Sequence, residues 1–159
     1  MLNRREFLLT GAATGAMLAL QLPAFAAEKK FEIEKTEAEW RAILTPEQYH
    51  ILREEGTEAP FTSPLNEEHR KGVFSCAGCD LPLFNSQTKF DSGTGWPSFY
   101  QPIKNAVGTR NDGSFMMSRV EVHCRRCGGH LGHVFNDGPQ PTGKRYCMDG
   151  LALKFTPSA

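Results

Sequence analysis

The chain has 159 residues, which is enough for one domain with a modest hydrophobic core. Hydrophobic residues make up 40% and charged residues 23%, both ordinary values for a globular protein. The formal net charge is zero, without a basic stripe or an acidic tail. Composition and charge therefore give no support to nucleic-acid binding or to a solvating role.

Residues 1–26 are predicted to be a secretory signal of the twin-arginine type. The start reads NRREF, and a weakly apolar, Gly/Ala-containing stretch follows over residues 8–22. The sequence AFA then permits cleavage between Ala26 and Ala27. An uncleaved anchor is the alternative, but the stretch is shorter than the ~20 residues that a membrane span needs. We expect a periplasmic protein that meets the membrane only through this segment during export.

Two short helices are predicted after a charged lead-in at residues 27–35. Thr36 and Glu39 form a capping box, and Trp40, Ile43 and Leu44 then lie on one helical face. Thr45-Pro46-Glu47-Gln48 repeats the start signal, with proline at the first helical position. Gly56 is predicted to end the second helix. The folded domain is expected to span residues 36–159.

The remainder of the chain is predicted to consist of strands and turns. Residues 115–123 alternate, so that Val120 and Val122 are expected to face the core and Arg119, Glu121 and His123 to face water. Residues 151–155 give a second alternating run, with apolar Leu151, Leu153 and Phe155. The sequence therefore predicts a mainly β fold of antiparallel strands, with small helices at its N-terminal edge.

Four of the five cysteines form two C-x-x-C pairs. Together the pairs supply the four thiolates of a closed tetrahedral zinc site, Cys76, Cys79, Cys124 and Cys127. Such a site has no open coordination position, which favours a structural role. Two disulfides and a rubredoxin-like iron centre for electron transfer are the alternatives. Zinc binding supplies roughly 10–16 kcal/mol in small domains, as much as the ~5–15 kcal/mol net stability of a whole domain.

The fifth cysteine, Cys147, is left over and is the candidate nucleophile. If residues 145–149 are extended, Arg145, Cys147 and Asp149 project from one face. Arg145 would favour the thiolate and lower the pKa of Cys147, whereas an ionised Asp149 would act in the opposite direction. A lone cysteine is also commonly a small buried hydrophobic residue, so these residues alone leave both interpretations open.

Two further stretches carry candidate functional residues. In GHLGHVFNDG, residues 129–138, a strand would place His133, Phe135 and Asp137 on one face, with His130 nearby in sequence. In GTGWPSF, residues 93–99, glycines and proline hold Trp96 on a rigid turn. Each aromatic or histidine alone is compatible with a structural role.

Taken together, the chain closely resembles methionine-R-sulfoxide reductases of the B type. The resemblance runs from LTPEQY at residues 44–49 through GTGWPSF, both C-x-x-C pairs and HLGHVF. It ends with RYC at residues 145–147 and LALKF at residues 151–155. It covers nearly all of the predicted mature chain.

The resemblance implies a β-sandwich-like fold of two antiparallel sheets, with one structural Zn²⁺ away from the active site. It implies that Cys147 is the nucleophile and that Trp96 and Phe135 shape the pocket for the methyl-sulfinyl group. It further implies that His130 and His133 take part in proton handling and orientation, with Arg145 and Asp137 nearby. Asp149 is a further candidate site residue, from its position two residues after Cys147.

The chain departs from the family pattern at two positions. Many relatives carry Asn where this chain has Asp149, and an ionised carboxylate cannot donate a hydrogen bond as an amide does. Many also carry a resolving cysteine at the position of Thr94. Because no other cysteine remains outside the zinc set, we expect a one-cysteine enzyme.

The expected reaction is reduction of the R epimer of methionine sulfoxide, peptide-bound, by attack of Cys147 on the sulfoxide sulfur. A general acid is needed, with His133 the first candidate and His130 the second. Cys147 becomes a sulfenic acid, which a thioredoxin-like or other external thiol must reduce. The expected partners are therefore oxidised proteins and a thiol donor. A non-catalytic zinc-ribbon binding module with a buried Cys147 is the alternative.

Overall fold

The structure, a computed structural model, describes residues 31–113 and 119–158. The signal predicted for residues 1–26, and residues 115–118 of the alternating run, lie outside this range. No helix within the described residues is long and apolar enough to span a membrane.

Two helices begin where their capping boxes predict. Helix α1 spans Glu37–Ile43 and helix α2 spans Pro46–Glu54. At each start the threonine hydroxyl accepts from the third backbone N–H, and the side chain there accepts from the threonine N–H in return. These reciprocal bonds satisfy helix donors that would otherwise have no partner.

The predicted helices differ from the structure at two positions. Trp40 and Leu44 are buried, but Ile43 is 55% exposed, so it does not share their core contacts. Helix α2 ends at Glu54, and Glu55, not Gly56, adopts the left-handed conformation at its C-terminus, with φ of 57°. Gly56 follows, and a Cβ there would lie 2.3 Å from the His50 ring, so close packing explains the glycine.

Nine strands within the described residues form two antiparallel sheets. The three-stranded sheet has the order β2-β1-β9, and the six-stranded sheet has the order β3-β4-β8-β7-β6-β5. This confirms the predicted mainly β fold. The strands are β1 Gly72–Cys76, β2 Pro82–Asn85, β3 Lys89–Phe90, β4 Ser98–Phe99, β5 Val107–Asp112, β6 Arg119–Cys124, β7 His130–Phe135, β8 Arg145–Met148 and β9 Leu153–Pro157.

Aromatic side chains join the two sheets. Phe99 on β4 stacks on Phe84 of β2 with ring centroids 4.3 Å apart, and meets Phe74 of β1 edge-on at 5.0 Å. All three rings have zero exposure. Burial of a phenylalanine side chain is worth about 1.5–3 kcal/mol, so this trio anchors the interface between the sheets.

Both alternating runs depart from the predicted pattern. Leu153 is buried, whereas Leu151 lies in a short 3-10 turn before β9 and is 37% exposed. On β6, Val122 is buried as predicted, but Val120 is exposed and Glu121 is only 3% exposed. The prediction that Glu121 faces water is wrong, because both faces of this interior strand are covered where Glu121 lies.

Candidate active site and metal centre

The two C-x-x-C pairs occupy turns that follow β1 and β6, one from each sheet. Cys76 ends β1 and Cys124 ends β6, and each carbonyl accepts a hydrogen bond across its own turn, from Asp80 N–H and Gly128 N–H respectively. Asp80 and Gly128 both have positive φ, at 57° and 68°, which lets each turn close tightly. The cluster therefore fastens one sheet to the other.

The four thiols fit a tetrahedral metal ion. One ligand atom from each cysteine lies within 4.8 Å of all the others. The Cys76–Cys127 and Cys79–Cys124 sulfur separations are 3.7 and 3.5 Å. Tetrahedral zinc with Zn–S bonds of about 2.3 Å requires sulfurs roughly 3.8 Å apart, so the residues present match this geometry.

The disulfide alternative does not fit the same distances. A disulfide holds its sulfurs at about 2.05 Å, far shorter than either separation. All four cysteines are unpaired, and three of them are buried. A metal-binding cluster therefore explains the two C-x-x-C pairs better than two disulfides do.

A row of five side chains crosses the six-stranded sheet. Ser98 on β4 is paired with Cys147 on β8, Cys147 with His133 on β7, His133 with Glu121 on β6, and Glu121 with Arg110 on β5. Residues directly opposite each other project from the same face of a sheet. The row therefore places a thiol between a hydroxyl and an imidazole, with an ion pair at its far end.

A β-bulge adds His130 to this face. Val122 pairs with Gly132 and the next residue, His123, pairs with His130, which leaves Leu131 as an extra residue on β7. In a regular strand, residues three apart point to opposite faces, but a bulge reverses that parity. The rings of His130 and His133 consequently lie 5.4 Å apart.

Glu121 holds His130 in one orientation. Its carboxylate accepts a hydrogen bond from His130 Nδ1 at 2.8 Å, and it also accepts from Arg110. Burial alone would raise the pKa of Glu121, but the hydrogen bonds and positive charge of His130 and Arg110 hold it at about 2. Glu121 is therefore ionised at neutral pH, and the proton between the two groups belongs to His130 Nδ1.

His133 is held by a second carboxylate, that of Asp112 on β5. Its Nε2 donates to the Asp112 carboxylate at 2.8 Å, and Asp112 also accepts from Arg119 at 2.9 Å. Burial lowers the pKa of His133, and the hydrogen bond to Asp112 offsets this only in part. With Nε2 bound to Asp112, only Nδ1 of His133 is left to meet a ligand.

Cys147 is partly buried, and its thiol is less acidic than predicted. Burial raises the pKa of Cys147, and this outweighs the lowering by the Thr94 hydroxyl and by the positive charge of Arg145. Asp149 raises it further, and Ser98 lowers it. The prediction that Arg145 lowers the Cys147 pKa has the right sign for that one contribution, but the net shift is upward because desolvation is larger.

Arg145 lies between Phe135 and Asp137. Its guanidinium forms two hydrogen bonds with the Asp137 carboxylate, at 2.9 and 2.7 Å, and lies 4.4 Å from the centre of the Phe135 ring. The Phe135 ring is also 6.4 Å from that of His133. Asp137 itself is 60% exposed, so its contact with this group of residues passes through Arg145.

Asp149 is buried and turns towards the segment that follows α2. It accepts hydrogen bonds from Thr57 Oγ1 at 2.8 Å and from Glu58 N–H at 2.9 Å, and lies 3.9 Å from His130 Nε2. Glu58 in turn accepts from Gly150 and Leu151 N–H groups. Burial raises the pKa of both carboxyls, Asp149 and Glu58.

Trp96 is partly exposed and is fixed by the same segment. Its indole N–H donates to the Glu58 carbonyl at 3.1 Å. The preceding Gly95 has φ of 91°, and a Cβ there would lie 2.7 Å from Phe61 N. The glycine is therefore required both by its conformation and by the close approach of the 57–63 segment.

Sequence reasoning missed Glu121, Asp112 and Glu58. Glu121 sits in an alternating run that predicts exposure, and only the bulge at Leu131, which no residue pattern signals, gives it a histidine partner. Asp112 and Glu58 lie in polar segments without a motif. No local signal could have assigned them to the site.

Comparison with known proteins finds matches that cover most of the chain. Residues 44–157 match the SelR domain model. The chain is 56% identical over 126 residues to the peptide methionine sulfoxide reductase MsrB of Methanosarcina mazei, covering 79% of this chain and 90% of that one. It is 56% identical over 127 residues to the MsrB of Agrobacterium fabrum, covering 79% and 94% of the two chains.

The likeness extends to a plant protein, peptide methionine sulfoxide reductase B1, chloroplastic, of Arabidopsis thaliana. The identity is 57% over 129 residues, which covers 80% of this chain and 64% of the relative. The region that matches the SelR domain model, residues 44–157, includes all four clustered cysteines, the bulged strand β7 and Cys147. The chain belongs to the SelR-domain family of methionine-R-sulfoxide reductases, type B.

Proposed function

We propose that Cys147 is the nucleophile with which this methionine-R-sulfoxide reductase acts on peptide-bound substrate. The observation that carries the proposal is the separation of the five thiols. Four converge on one point, whereas Cys147 lies apart from them in the row that also contains His133 and Ser98. Cys147 is also partly exposed, which argues against the alternative of a non-catalytic module with a buried fifth cysteine.

The chemistry transfers one oxygen atom and two electrons. The Cys147 thiolate attacks the sulfoxide sulfur while the sulfoxide oxygen takes a proton. The S–S bond made by this attack and the S–O bond of the substrate then break as the oxygen, with its proton, moves to Cys147. Methionine leaves as a thioether with its sulfur reduced, and Cys147 is left as a sulfenic acid. The net change is thiol plus sulfoxide to sulfenic acid plus thioether, without any other oxidant or reductant.

His133 supplies the proton in this proposal. It lies directly opposite Cys147, and Asp112 fixes its Nε2, so that a doubly protonated ring presents Nδ1–H to the substrate oxygen. His130, held by Glu121, is the second candidate. Positioned acid catalysis is worth roughly 10²–10⁴ in rate, which is sufficient reason to hold both rings on fixed carboxylates.

Trp96 and Phe135 are assigned to the methyl-sulfinyl group, because each is an aromatic side chain held by the site's own polar residues. Phe135 lies under Arg145, and Asp137 orients that arginine. Trp96 is anchored through Glu58. An apolar wall with few polar groups is the common form of a small-ligand pocket.

The sulfenic acid is reduced by an external thiol. The first thiol forms a mixed disulfide with Cys147 and releases water, and a second thiol displaces it, regenerating the Cys147 thiol and a disulfide. The family resemblance places Thr94 where many relatives carry a resolving cysteine, and Thr94 Oγ1 lies 3.7 Å from Cys147 Sγ. The other four cysteines form the cluster assigned to the metal, so none is left to act as a resolving thiol. A thioredoxin-like donor fits this need, and oxidised proteins are the substrates.

Zinc is assigned to the four-cysteine cluster as a structural ion. The donor set is all-thiolate and closed, and it joins turns from both sheets, so Cys76, Cys79, Cys124 and Cys127 would hold the fold together. When bound, the ion supplies stability and no open coordination position. Export by the twin-arginine route and action in the periplasm are proposed from residues 1–26, where the twin arginines precede the apolar stretch.

An epimer-resolved assay tests the function. Purified protein with dithiothreitol is given a peptide carrying either the R or the S epimer of methionine sulfoxide, and methionine is measured. Wild type should consume R and leave S, and Cys147→Ser should abolish turnover while keeping its metal content. One turnover without thiol should leave a dimedone-reactive sulfenic acid on Cys147. Turnover by Cys147→Ser would contradict the nucleophile assignment. An intramolecular disulfide on Cys147 after one turnover would contradict the zinc assignment, because only a cysteine of the cluster could supply the second sulfur.

A further inference from the structure

Three hydroxyl groups form a continuous chain beside Cys147. Ser92 Oγ lies 2.8 Å from Thr94 Oγ1 and 2.7 Å from Ser98 Oγ, and Ser98 Oγ donates to the Trp96 carbonyl at 3.1 Å. Thr94 Oγ1 lies 3.7 Å from Cys147 Sγ, which is within hydrogen-bond range for sulfur. This chain of hydrogen bonds thus begins at the candidate nucleophile and ends at the backbone carbonyl of Trp96.

The direction of these hydrogen bonds follows from counting protons. A carbonyl only accepts, so the single hydroxyl proton of Ser98 is committed to Trp96. The contact between Ser92 and Ser98 then requires the proton of Ser92, and the contact between Thr94 and Ser92 requires that of Thr94. With every bond made, the Cys147 thiol must be the donor to Thr94.

An ionised sulfur reverses the last bond. The Cys147 thiolate has no proton and can only accept. Ser98 is the other hydroxyl that acts on this sulfur, but its proton is held by the Trp96 carbonyl. The contact with Thr94 therefore requires the Thr94 proton to turn from Ser92 to the sulfur. Ser92 Oγ is then left with the Thr94 backbone N–H, at 3.5 Å. Thr94 therefore has one proton and two competing acceptors, and the ionisation of Cys147 decides between them.

We propose that Thr94 is a catalytic residue, whose hydroxyl rotates from Ser92 to the sulfur of Cys147 when that sulfur loses its proton. Thr94 transfers no proton of its own, and the thiol proton passes to solvent. The proposal deepens the function proposed above and rests on Cys147 being its nucleophile. Hydrogen bonds to a charged acceptor are the stronger ones, so the rotation favours the thiolate.

Thr94 is placed where its hydroxyl acts directly on the ionisation of Cys147. Burial raises the pKa of Cys147, and the Thr94 hydroxyl is the largest influence that opposes it, ahead of Arg145. In a one-cysteine enzyme the position usually taken by a resolving thiol would thus serve the first step of the reaction instead of the last. Ser92 limits the effect, because it holds the same proton in the resting state.

The test measures the ionisation of Cys147 in three variants. The rate of iodoacetamide alkylation of Cys147, followed by mass spectrometry of the metal-loaded protein, is recorded against pH. Thr94→Val, which keeps the shape and removes the hydroxyl, should raise the midpoint by about one pH unit, a tenfold slower reaction below it. Thr94→Ser should keep the wild-type midpoint. Ser92→Ala should lower the midpoint, because the proton of Thr94 then has no competing acceptor.

The expected shifts of the alkylation midpoint have opposite signs in Thr94→Val and Ser92→Ala, and this difference separates the proposed role from a structural one. If packing alone were at work, both deletions would shift the midpoint in the same direction or not at all, and either result overturns the proposal. Should Thr94→Val fail to fold, Ser92→Ala decides by itself, since an unchanged or raised midpoint contradicts the rotation. The readout does not depend on turnover. Turnover by Cys147→Ser would refute the function while leaving the titration result standing.

Discussion

His130 donates a hydrogen bond from Nδ1 to the Glu121 carboxylate at 2.8 Å, and each side chain is only 4% exposed. Arg110 on the neighbouring strand pairs with the same carboxylate. Two donors thus surround one buried anion. Removing the anion leaves His130 Nδ1 with a weaker acceptor and takes an ion partner from Arg110.

Glu121→Gln should therefore destabilise the protein by about 1–3 kcal/mol at pH 7. The deficit relative to wild type should shrink as pH falls from about 5 to about 2. The carboxyl has a pKa of about 2 when folded and an ordinary one when unfolded, so its contribution is present above the ordinary pKa and lost below it. Urea unfolding at a series of pH values measures this. Both proteins carry the same four thiols, so metal loss in acid cancels, and a deficit independent of pH would contradict the assignment.

The pH dependence of the first chemical step follows from His133 and Cys147. Burial lowers the pKa of His133 and raises that of Cys147. In the proposed mechanism, the step needs a protonated His133 ring and a Cys147 thiolate together. As pH decreases below the pKa of His133, the thiolate fraction of Cys147 continues to fall while His133 is already fully protonated. As pH increases above the pKa of Cys147, the protonated fraction of His133 continues to fall while Cys147 is already fully ionised. Between the two values the product of the two fractions is constant.

Single-turnover rates should accordingly show a broad plateau around neutral pH with a decline on each side. Rapid-quench measurement of methionine release gives the profile. His133→Asn should give slower turnover whose rate rises with pH up to the pKa of Cys147, without the neutral plateau or the alkaline decline, while the alkylation midpoint of Cys147 stays near its wild-type position. A sharp optimum, or an unchanged profile in His133→Asn, would count against His133 as the acid.

Glycine is required at position 132 because the backbone there lies too close to β8 for a side chain. Its φ is 140°, and a Cβ there would lie 2.2 Å from the carbonyl oxygen of Cys147. Gly132→Ala should push β8, the strand that carries Cys147, away from β7 and lower the thermal stability of the protein. It should also lower kcat/KM at least tenfold, since misplacement of a catalytic group by an ångström is costly. Gly143→Ala is a matched control, because Gly143 also has positive φ, at 68°, but open space around it. Equal losses in the two variants, by thermal unfolding and turnover, would mean that backbone strain alone is responsible.

Asp149→Asn should lower the pKa of Cys147. Asp149 raises it through its negative charge, and asparagine keeps an oxygen that can still accept from Thr57 and Glu58 N–H. The substitution thus removes charge and preserves the local contacts. Iodoacetamide alkylation against pH should show a midpoint below that of wild type. An unchanged midpoint would show that Asp149 and Cys147 are not coupled.

The four-cysteine cluster should hold one zinc per chain and govern stability. Cys124→Ser should lose the metal and most of the cooperative unfolding transition, whereas Cys147→Ser should retain both. Elemental analysis and thermal unfolding provide the measurements. Cobalt substitution should give the visible bands of a tetrahedral tetrathiolate centre. Bound iron in protein purified from cells grown with ample zinc would favour the electron-transfer alternative.

The helices, the sheet class and the four-cysteine cluster were predictable because short sequence patterns specify each of them. Threonine followed by glutamate or glutamine at the third position specifies a helix start, and C-x-x-C specifies a chelating turn. These signals depend on neighbours a few residues away, and the structure agrees with them.

The row across the sheet was not predictable by the same reasoning. Whether Glu121 faces water or His130 depends on strand order and on one extra residue at Leu131, neither of which leaves a periodic signal. The raised pKa of Cys147 likewise depends on how deeply β8 is covered, which sequence spacing does not reveal. Family resemblance pointed to stretches that the larger sheet brings together, and the structure supplies their partners.

Strand β8 lies between β4 and β7, although it is made close to the C-terminus of the chain. A nascent polypeptide that has not yet reached Arg145 would therefore have a gap in the middle of its larger sheet. Cys147, the proposed nucleophile, arrives with the strand that fills this gap. Oxygen transfer should thus become possible only when synthesis is almost complete, and no fragment that ends before Arg145 should show it.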